Sequence, residues 1–104
     1  MAVYKSGRIK PKSSSTSQLG KDVLFEYYAP GARTVHLAGT FNEWSLLNCP
    51  LKKEAGGWWR VKVKLTPGRY EYRYLADGSW ENDQRPVVCV PNPFGTWNCV
   101  LEVS

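Results

Sequence analysis

Histidine and cysteine are scarce in this sequence, and their scarcity excludes several kinds of site. There is one histidine, His36, and there are three cysteines, Cys49, Cys89 and Cys99. The cysteines form no C-x-x-C pair, and one histidine cannot complete a zinc site with them. Three scattered thiols are also too few for a disulfide framework. We therefore expect no metal, no cofactor, and reduced, mostly buried cysteines in a cytoplasmic protein.

Long apolar runs and helical periodicity are also missing. No segment approaches the roughly 20 apolar residues that a membrane-spanning helix needs. The N-terminal residues lack the apolar stretch of a signal peptide. No window carries the period of an amphipathic helix over a useful length. The sequence thus predicts strands rather than helices and no association with a membrane.

Groups suited to catalysis are few as well. His36 lies in a predicted strand, where an ordinary structural histidine is far more common than a catalytic one. A glycosidase needs two carboxylates that face each other across a cleft. Asp77, Glu81 and Asp83 lie close together in the sequence, so two of them are candidates for such a pair. Acids in turns and at strand edges are, however, usually solvated surface groups, and no glycine loop fits a nucleotide pattern. The sequence predicts a protein that is not an enzyme.

The net charge of +5 is unevenly distributed. Residues 1–20 contain four Lys or Arg and no acid, together with a serine-rich run. That composition predicts a disordered basic arm. Residues 21–104 carry ten Lys or Arg against nine Asp or Glu, so the predicted domain is almost neutral. A near-neutral domain favours a neutral ligand and makes nucleic acid an unfavourable partner.

Alternation of apolar and polar residues predicts one antiparallel β-sandwich over residues 21–104. The alternation is clearest over 58–65, where Trp59 faces the core and Trp58 faces solvent. In the last predicted strand, Trp97 and Cys99 are expected to face inward. Further strands are predicted around 23–28, 34–39, 51–53, 69–76, 87–90 and 97–103, with turns at Pro30-Gly31, Gly56-Gly57, Pro67-Gly68 and Asp77-Gly78.

Aromatic residues are abundant in places where a core does not need them. Trp44 lies in a polar loop, and Trp80 follows the Asp77-Gly78 turn among polar neighbours. A glucose ring has an apolar C–H face, which a tryptophan covers well, and a rim of hydroxyls, which needs donors and acceptors. Arg73, on the opposite strand face from the neighbouring tyrosines, is placed to supply donors. The two tryptophans together predict an exposed sugar-binding platform.

Three blocks of the sequence are similar to a known family. They are VHLAGTFNEW at 35–44, GRYEYRYLADGSW at 68–80 and NPFGTWN at 92–98. In this order they resemble carbohydrate-binding module family 48. That family includes the glycogen-binding domain of the AMP-activated protein kinase β subunit and the early-set domains of isoamylases and branching enzymes. The resemblance covers residues 22–103.

The resemblance implies an immunoglobulin-like, early-set β-sandwich that binds α-1,4-linked glucans such as glycogen, starch or maltooligosaccharides without catalysis. It also implies the glucan-binding residues. The two tryptophans of the family that stack on successive glucose units match Trp44 and Trp80. Arg73 replaces a lysine that binds sugar hydroxyls, and Phe94 replaces a leucine. The two polar residues that close the site match Thr96 and Asn98.

Two other functions remain open at this point. The first is a protein-interaction or scaffold module in a glucan-metabolising or kinase-type assembly, with a partner enzyme. The second is binding of single-stranded nucleic acid, which also uses aromatic and basic side chains. The near-neutral charge of the domain argues against nucleic-acid binding. Binding of that kind would show an affinity that depends strongly on salt.

Overall fold

The computed structural model describes residues 20–104, so the predicted arm over 1–20 lies, except for Gly20, outside the described residues. The described chain folds almost entirely into strands, with two short 3-10 turns at Thr40–Asn42 and Ala55–Gly57. No helix in this part of the chain is long and apolar enough to cross a bilayer. The strands are β1 (Lys21–Tyr28), β2 (Val35–Gly39), β3 (Lys52–Lys53), β4 (Trp58–Leu65), β5 (Gly68–Ala76), β6 (Ser79–Glu81), β7 (Cys89–Pro91) and β8 (Trp97–Val103).

The strands form two antiparallel sheets. The first has the order β1-β4-β3, and the second has the order β2-β5-β8-β7, with β6 paired to β5. The inward faces of the two sheets share one apolar core. The prediction of an all-β, immunoglobulin-like early-set sandwich is confirmed.

Alternation along the strands places the aromatic residues of the core. Phe25 and Tyr27 on β1 pack against Tyr72 and Tyr74 on β5, with ring centroids 5.3 Å and 4.9 Å apart for the pairs Phe25–Tyr72 and Tyr27–Tyr74. Trp59 is buried as predicted, and its indole N–H donates to the Ala29 carbonyl at 2.9 Å. Burying each large apolar side chain stabilises the fold by about 1.5–3 kcal/mol before entropy is counted.

One edge of β5 is shared by two strands, which the sequence analysis did not predict. Gly68–Tyr72 pairs with β8, and Tyr74–Ala76 pairs with β6, so that Arg73 falls at the junction. The turn before β6 has positive φ at both Asp77 (49°) and Gly78 (80°), as a two-residue hairpin turn with the twist of its strands requires. Residues 79–81 therefore continue as a short strand rather than as a loop.

One prediction about β8 is wrong, and one cysteine on β7 departs from the expected burial. Trp97 was expected to face the core but is 53% exposed, because pairing of β8 with β5 starts at Cys99 and Trp97 pairs only with Pro91 of the edge strand. Cys89, on the same edge strand, is exposed, while Cys99 is buried and Cys49 is half-buried. Burial raises the pKa of the Cys99 thiol to about 11.

Candidate functional site

An open pocket of about 710 Å³ lies on the outer face of the five-stranded sheet. All six residues that the sequence analysis selected line it, so the structure brings together positions from β5, β6, β8 and two loops. Two further residues, Asn92 and Pro93, were not predicted. The complete lining is Trp44, Arg73, Trp80, Asn92, Pro93, Phe94, Thr96 and Asn98.

The loop after β2 is closed on itself by the side chain of Asn42. Its Oδ1 accepts from the Gly39 amide at 3.0 Å, and its Nδ2 donates to the Leu37 carbonyl at 3.3 Å. The Trp44 amide then donates to the Gly39 carbonyl at 2.9 Å. Trp44 has φ = 59°, a left-handed conformation that is rare for a bulky side chain. Backbone held in such a conformation is typical of binding sites.

Gly39 allows this loop to lie close against β5. A Cβ at this position would come within 2.5 Å of the Glu71 carbonyl oxygen and 2.6 Å of the Phe41 ring. The next residue fastens the loop to the same strand, because the Glu71 amide donates to Thr40 Oγ1 at 3.1 Å. The Gly-Thr-Phe-Asn part of the sequence block therefore positions Trp44 without contacting the pocket itself.

Trp44 and Trp80 contact each other although Trp44 lies in the loop after β2 and Trp80 lies on β6. Their ring centroids are 6.4 Å apart, and the ring planes meet at 70°. Trp80 lies on β6 opposite Leu75, which turns its ring towards the outer face of the sheet. The two indoles thus form an angled apolar surface rather than a flat one.

Arg73 is held beside this surface by hydrogen bonds from two directions. Its Nε donates to Asn82 Oδ1 at 2.6 Å, and its Nη1 donates to Thr96 Oγ1 at 3.2 Å. The guanidinium carbon lies 5.9 Å from the centroid of the Trp80 ring. Among the described residues no partner engages Nη2 of Arg73, so this group is available as a donor to a ligand.

The loop between β7 and β8 is organised by Asn92, which the sequence analysis missed. Its Oδ1 accepts from the amides of Phe94 at 3.0 Å and Thr96 at 3.1 Å. Gly95 has φ = 81°, and this tight turn leaves Phe94 89% exposed. The Asn-Pro-x-Gly composition was the available signal, since an asparagine that bonds the backbone two residues on is typical of turns.

Asn98 is buried and bonded at both ends of its amide. Its Nδ2 donates to Glu71 Oε1 at 3.0 Å, and its Oδ1 accepts from Asn92 Nδ2 at 2.9 Å. Hydrogen bonds from Asn98 and, secondly, from Arg69 lower the pKa of the Glu71 carboxyl. Glu71 therefore stays ionised at neutral pH and fixes the orientation of the Asn98 amide from outside the pocket lining.

The side chains of the three acids considered for catalysis form hydrogen bonds outside the pocket. Asp77 Oδ1 accepts from the Arg33 and Thr34 amides, and Glu81 Oε2 accepts from the Ser79 hydroxyl. Asp83 was expected to be a solvated surface acid, but its side chain is almost fully buried because Tyr72 and Arg85 bind it. None of the three lines the pocket.

The sequence of the sandwich matches a known family. The sequence profile described as the glycogen recognition site of AMP-activated protein kinase matches residues 21–104, which is the whole sandwich. The chain belongs to this family. The match begins at the first residue of β1.

The chain is also similar to curated animal and plant proteins. The 5'-AMP-activated protein kinase subunit beta-1 of Sus scrofa is 34% identical over 74 residues, which is 71% of this chain and 57% of the relative. Protein PTST homolog 2, chloroplastic, of Arabidopsis thaliana is 40% identical over 58 residues, or 55% of this chain and 11% of the relative. Protein FLOURY ENDOSPERM 6, chloroplastic, of rice (Oryza sativa subsp. japonica) is 29% identical over 85 residues, or 81% and 16%. The chain thus spans less than two thirds of these relatives.

Proposed function

We propose that this chain is a non-catalytic module that binds α-1,4-linked glucans, such as glycogen, starch or maltooligosaccharides, in the pocket of the five-stranded sheet. The observation that carries the proposal is the angled Trp44–Trp80 pair with Arg73 beside it. Membership of a glycogen recognition family supports the same ligand class. The pocket contributes aromatic faces and neutral amides and hydroxyls, which suit a neutral sugar.

In this proposal each tryptophan covers the C–H face of one glucose unit. Dehydration and dispersion favour that contact, because a flat indole excludes water from a weakly polar ring face. Successive units of an α-1,4-glucan are rotated with respect to one another, so the chain curves. Two ring planes that meet at 70° fit such a curve better than a flat surface would.

The remaining pocket residues bind or position the hydroxyl rim. Arg73 donates to sugar hydroxyls from Nη2, while its bonds to Asn82 and Thr96 fix its orientation. Phe94, which is exposed in the lining, adds an apolar contact. Asn98 acts mainly by holding Asn92, because both ends of its amide are already bonded.

The affinity of one pocket for a short sugar is expected to be modest. Two stacked rings and a few hydrogen bonds that compete with water correspond to a Kd on the order of micromolar to millimolar, or about −8 to −4 kcal/mol. On a polymer, several modules acting together raise the apparent affinity through avidity.

A larger assembly is part of the proposal. One relative is named as a subunit of a protein kinase, and this chain covers 57% of it, which supports a partner enzyme for a protein that contains this module. A cytoplasmic location stays a prediction, since two plant relatives are named as chloroplastic. We also propose that the module itself has no hydrolytic activity.

Affinity electrophoresis in native gels that contain glycogen tests the proposal. We expect glycogen to retard the chain equally at low and high salt and to release no reducing sugar over time. Gels without glycogen and gels with dextran, an α-1,6-linked glucan, are the controls for the α-1,4 linkage. Two results would contradict the proposal. One is equal mobility with and without glycogen, and the other is retardation by single-stranded DNA that disappears at high salt.

A further inference from the structure

A second pair of exposed aromatic rings lies on the other side of the sandwich. Tyr28 on β1 and Trp58 on β4 are directly opposite each other in the strand register and are 45% and 37% exposed. Their ring centroids are 5.2 Å apart, and the ring planes meet at 59°. Both side chains leave the outer face of the three-stranded sheet, because Tyr27 and Trp59, their neighbours in sequence, face the core.

A guanidinium accompanies this pair as Arg73 accompanies Trp80. The Arg60 guanidinium carbon lies 5.4 Å from the centroid of the Trp58 ring. Its Nε donates to Glu26 at 2.6 Å, and its Nη1 donates to Glu54 at 2.8 Å. The chemistry of the pocket is therefore repeated on unrelated strands: a tryptophan, a second aromatic ring at an angle, and an arginine oriented by side-chain oxygens.

The fold does not require an exposed tryptophan at this place. The outward positions that follow Trp58 on β4 are Arg60, Lys62 and Lys64, the charged residues that a solvated strand face normally carries. Trp58 alone departs from that pattern, and it keeps over a third of its surface in water. An exposed aromatic pair of this kind is typical of a binding surface.

The charges that Arg60 contacts directly are balanced by acids, which favours a neutral ligand at this pair. Arg60 is matched by the two carboxylates of Glu26 and Glu54, so these three residues together carry no excess positive charge, although Lys52 lies opposite Arg60 on the neighbouring strand. Carboxylate oxygens accept hydrogen bonds and the guanidinium donates them, which is the combination that the hydroxyl rim of a sugar needs. A neutral ring with one apolar face fits this surface better than a nucleotide does.

We propose that Tyr28 and Trp58 form a second sugar platform, which stacks a glucose unit of an α-glucan while Glu54 and Arg60 bind its hydroxyls. This inference rests on the proposed function of the pocket. Because the two sites lie on the outer faces of opposite sheets, one module holds two glucan chains and bridges them. The second platform is shallower and binds a short sugar more weakly, with a millimolar Kd.

Tryptophan indole NMR with maltoheptaose tests the platform in the double variant Trp44→Ala Trp80→Ala, which lacks the pocket rings. We expect the Trp58 indole signal still to shift and to saturate in the millimolar range. Adding Tyr28→Ala reduces that shift at least threefold, while Leu24→Ala, an exposed apolar change elsewhere on β1, leaves it unchanged. Amide spectra recorded for every variant verify the fold.

The outcomes separate this inference from the function of the pocket. In the wild-type chain, shifts of Trp44 and Trp80 with an unmoved Trp58 would overturn the platform and leave the pocket intact; the Tyr28–Trp58 surface would then be a candidate for contact with a protein. Indoles that are unmoved at both sites would remove both proposals. A light-scattering assay adds a second readout: the wild type clusters glycogen particles, and Tyr28→Ala binds glycogen in gels but clusters it at least threefold less.

Discussion

Arg73 and Trp80 meet although they lie on different strands, with the guanidinium carbon of Arg73 5.9 Å from the centroid of the Trp80 ring. The contact follows from the shared edge of β5. Since β8 pairs with this edge up to Tyr72 and β6 pairs with it from Tyr74, the side chain of Arg73 reaches both neighbours. The pocket is therefore located at the junction of two strands on one sheet edge.

Removing either tryptophan of the pocket is expected to weaken glucan binding. Trp44→Ala and Trp80→Ala each remove one stacking face, and we expect each to lower the affinity for maltoheptaose about tenfold, or about 1.4 kcal/mol. Isothermal titration calorimetry measures the change. Leu47→Ala, which truncates an exposed apolar residue of the Trp44 loop outside the pocket, is the matched control. Equal affinity in all three variants would show that the stacking surface is elsewhere.

Asn92 is expected to act on binding through the loop that it holds. Asn92→Ala removes the acceptor for the Phe94 and Thr96 amides and frees Phe94 to move. We expect affinity for maltoheptaose to fall about threefold to tenfold, or about 0.7–1.4 kcal/mol, together with a lower melting temperature, because the buried Asn98 Oδ1 also loses its donor. Asn48→Ala, which truncates an exposed asparagine outside the pocket lining, is the control. A variant that binds as tightly as the wild type would show that the ordered loop is not needed.

Much of the fold was predictable because the strands alternate clearly. The pattern of β4 is confirmed, since Trp59 is buried and Trp58 is outside. Alternation does not reveal where pairing starts, and for that reason Trp97 was placed inside although only an edge strand pairs with it. The strand β6 was missed because three residues after a tight turn are too few to show a period.

Two buried tyrosines of β5 provide a matched test of hydrogen bonding in the core. The Tyr72 hydroxyl donates to Asp83 at 2.6 Å, whereas among the described residues the Tyr74 hydroxyl has no partner. We expect Tyr72→Phe to lower the free energy of unfolding by about 1.5–3 kcal/mol, because a buried carboxylate loses a donor. Tyr74→Phe is expected to cost less than about 0.5 kcal/mol or to stabilise. Urea denaturation measures both, and equal losses would contradict the assigned bond.

Asp83 is expected to make stability sensitive to acid. Burial raises the pKa of its carboxyl, but hydrogen bonds from Arg85 and Tyr72 outweigh burial and hold the pKa below its ordinary value. A lowered folded-state pKa stabilises above the unfolded value, near about pH 4, and that stabilisation is lost as pH falls through the folded value. Thermal melts from pH 7 to 2 are expected to show a shallower acid-dependent loss for Asp83→Asn than for the wild type.

The control for this pH series is Asp22→Asn, which removes an exposed carboxylate that is paired with Lys64 at 3.4 Å. Exposed ion pairs contribute about 0–1 kcal/mol, so its acid limb should follow that of the wild type. An acid limb that is as steep in Asp83→Asn as in the wild type would show that other groups govern the loss.

The candidate site was predicted less completely than the fold. Trp44 and Trp80 were recognisable because a core does not need aromatics in polar loops. Asn92 and Asn42 were not, since each acts through hydrogen bonds to backbone atoms; a turn composition such as Asn-Pro-x-Gly indicates a turn but not which pocket residues it positions. Their effect on the site depends on loop geometry, and that geometry appears only once the strands are placed.

The most direct test of the central claim is an NMR titration of the wild-type chain with maltoheptaose or β-cyclodextrin, following assigned tryptophan indole signals at low and high salt. The account predicts saturable shifts of Trp44 and Trp80 with a midpoint that does not depend on salt, while the buried Trp59 stays unmoved. Signals of Trp44 and Trp80 that remain unchanged at millimolar sugar would contradict it.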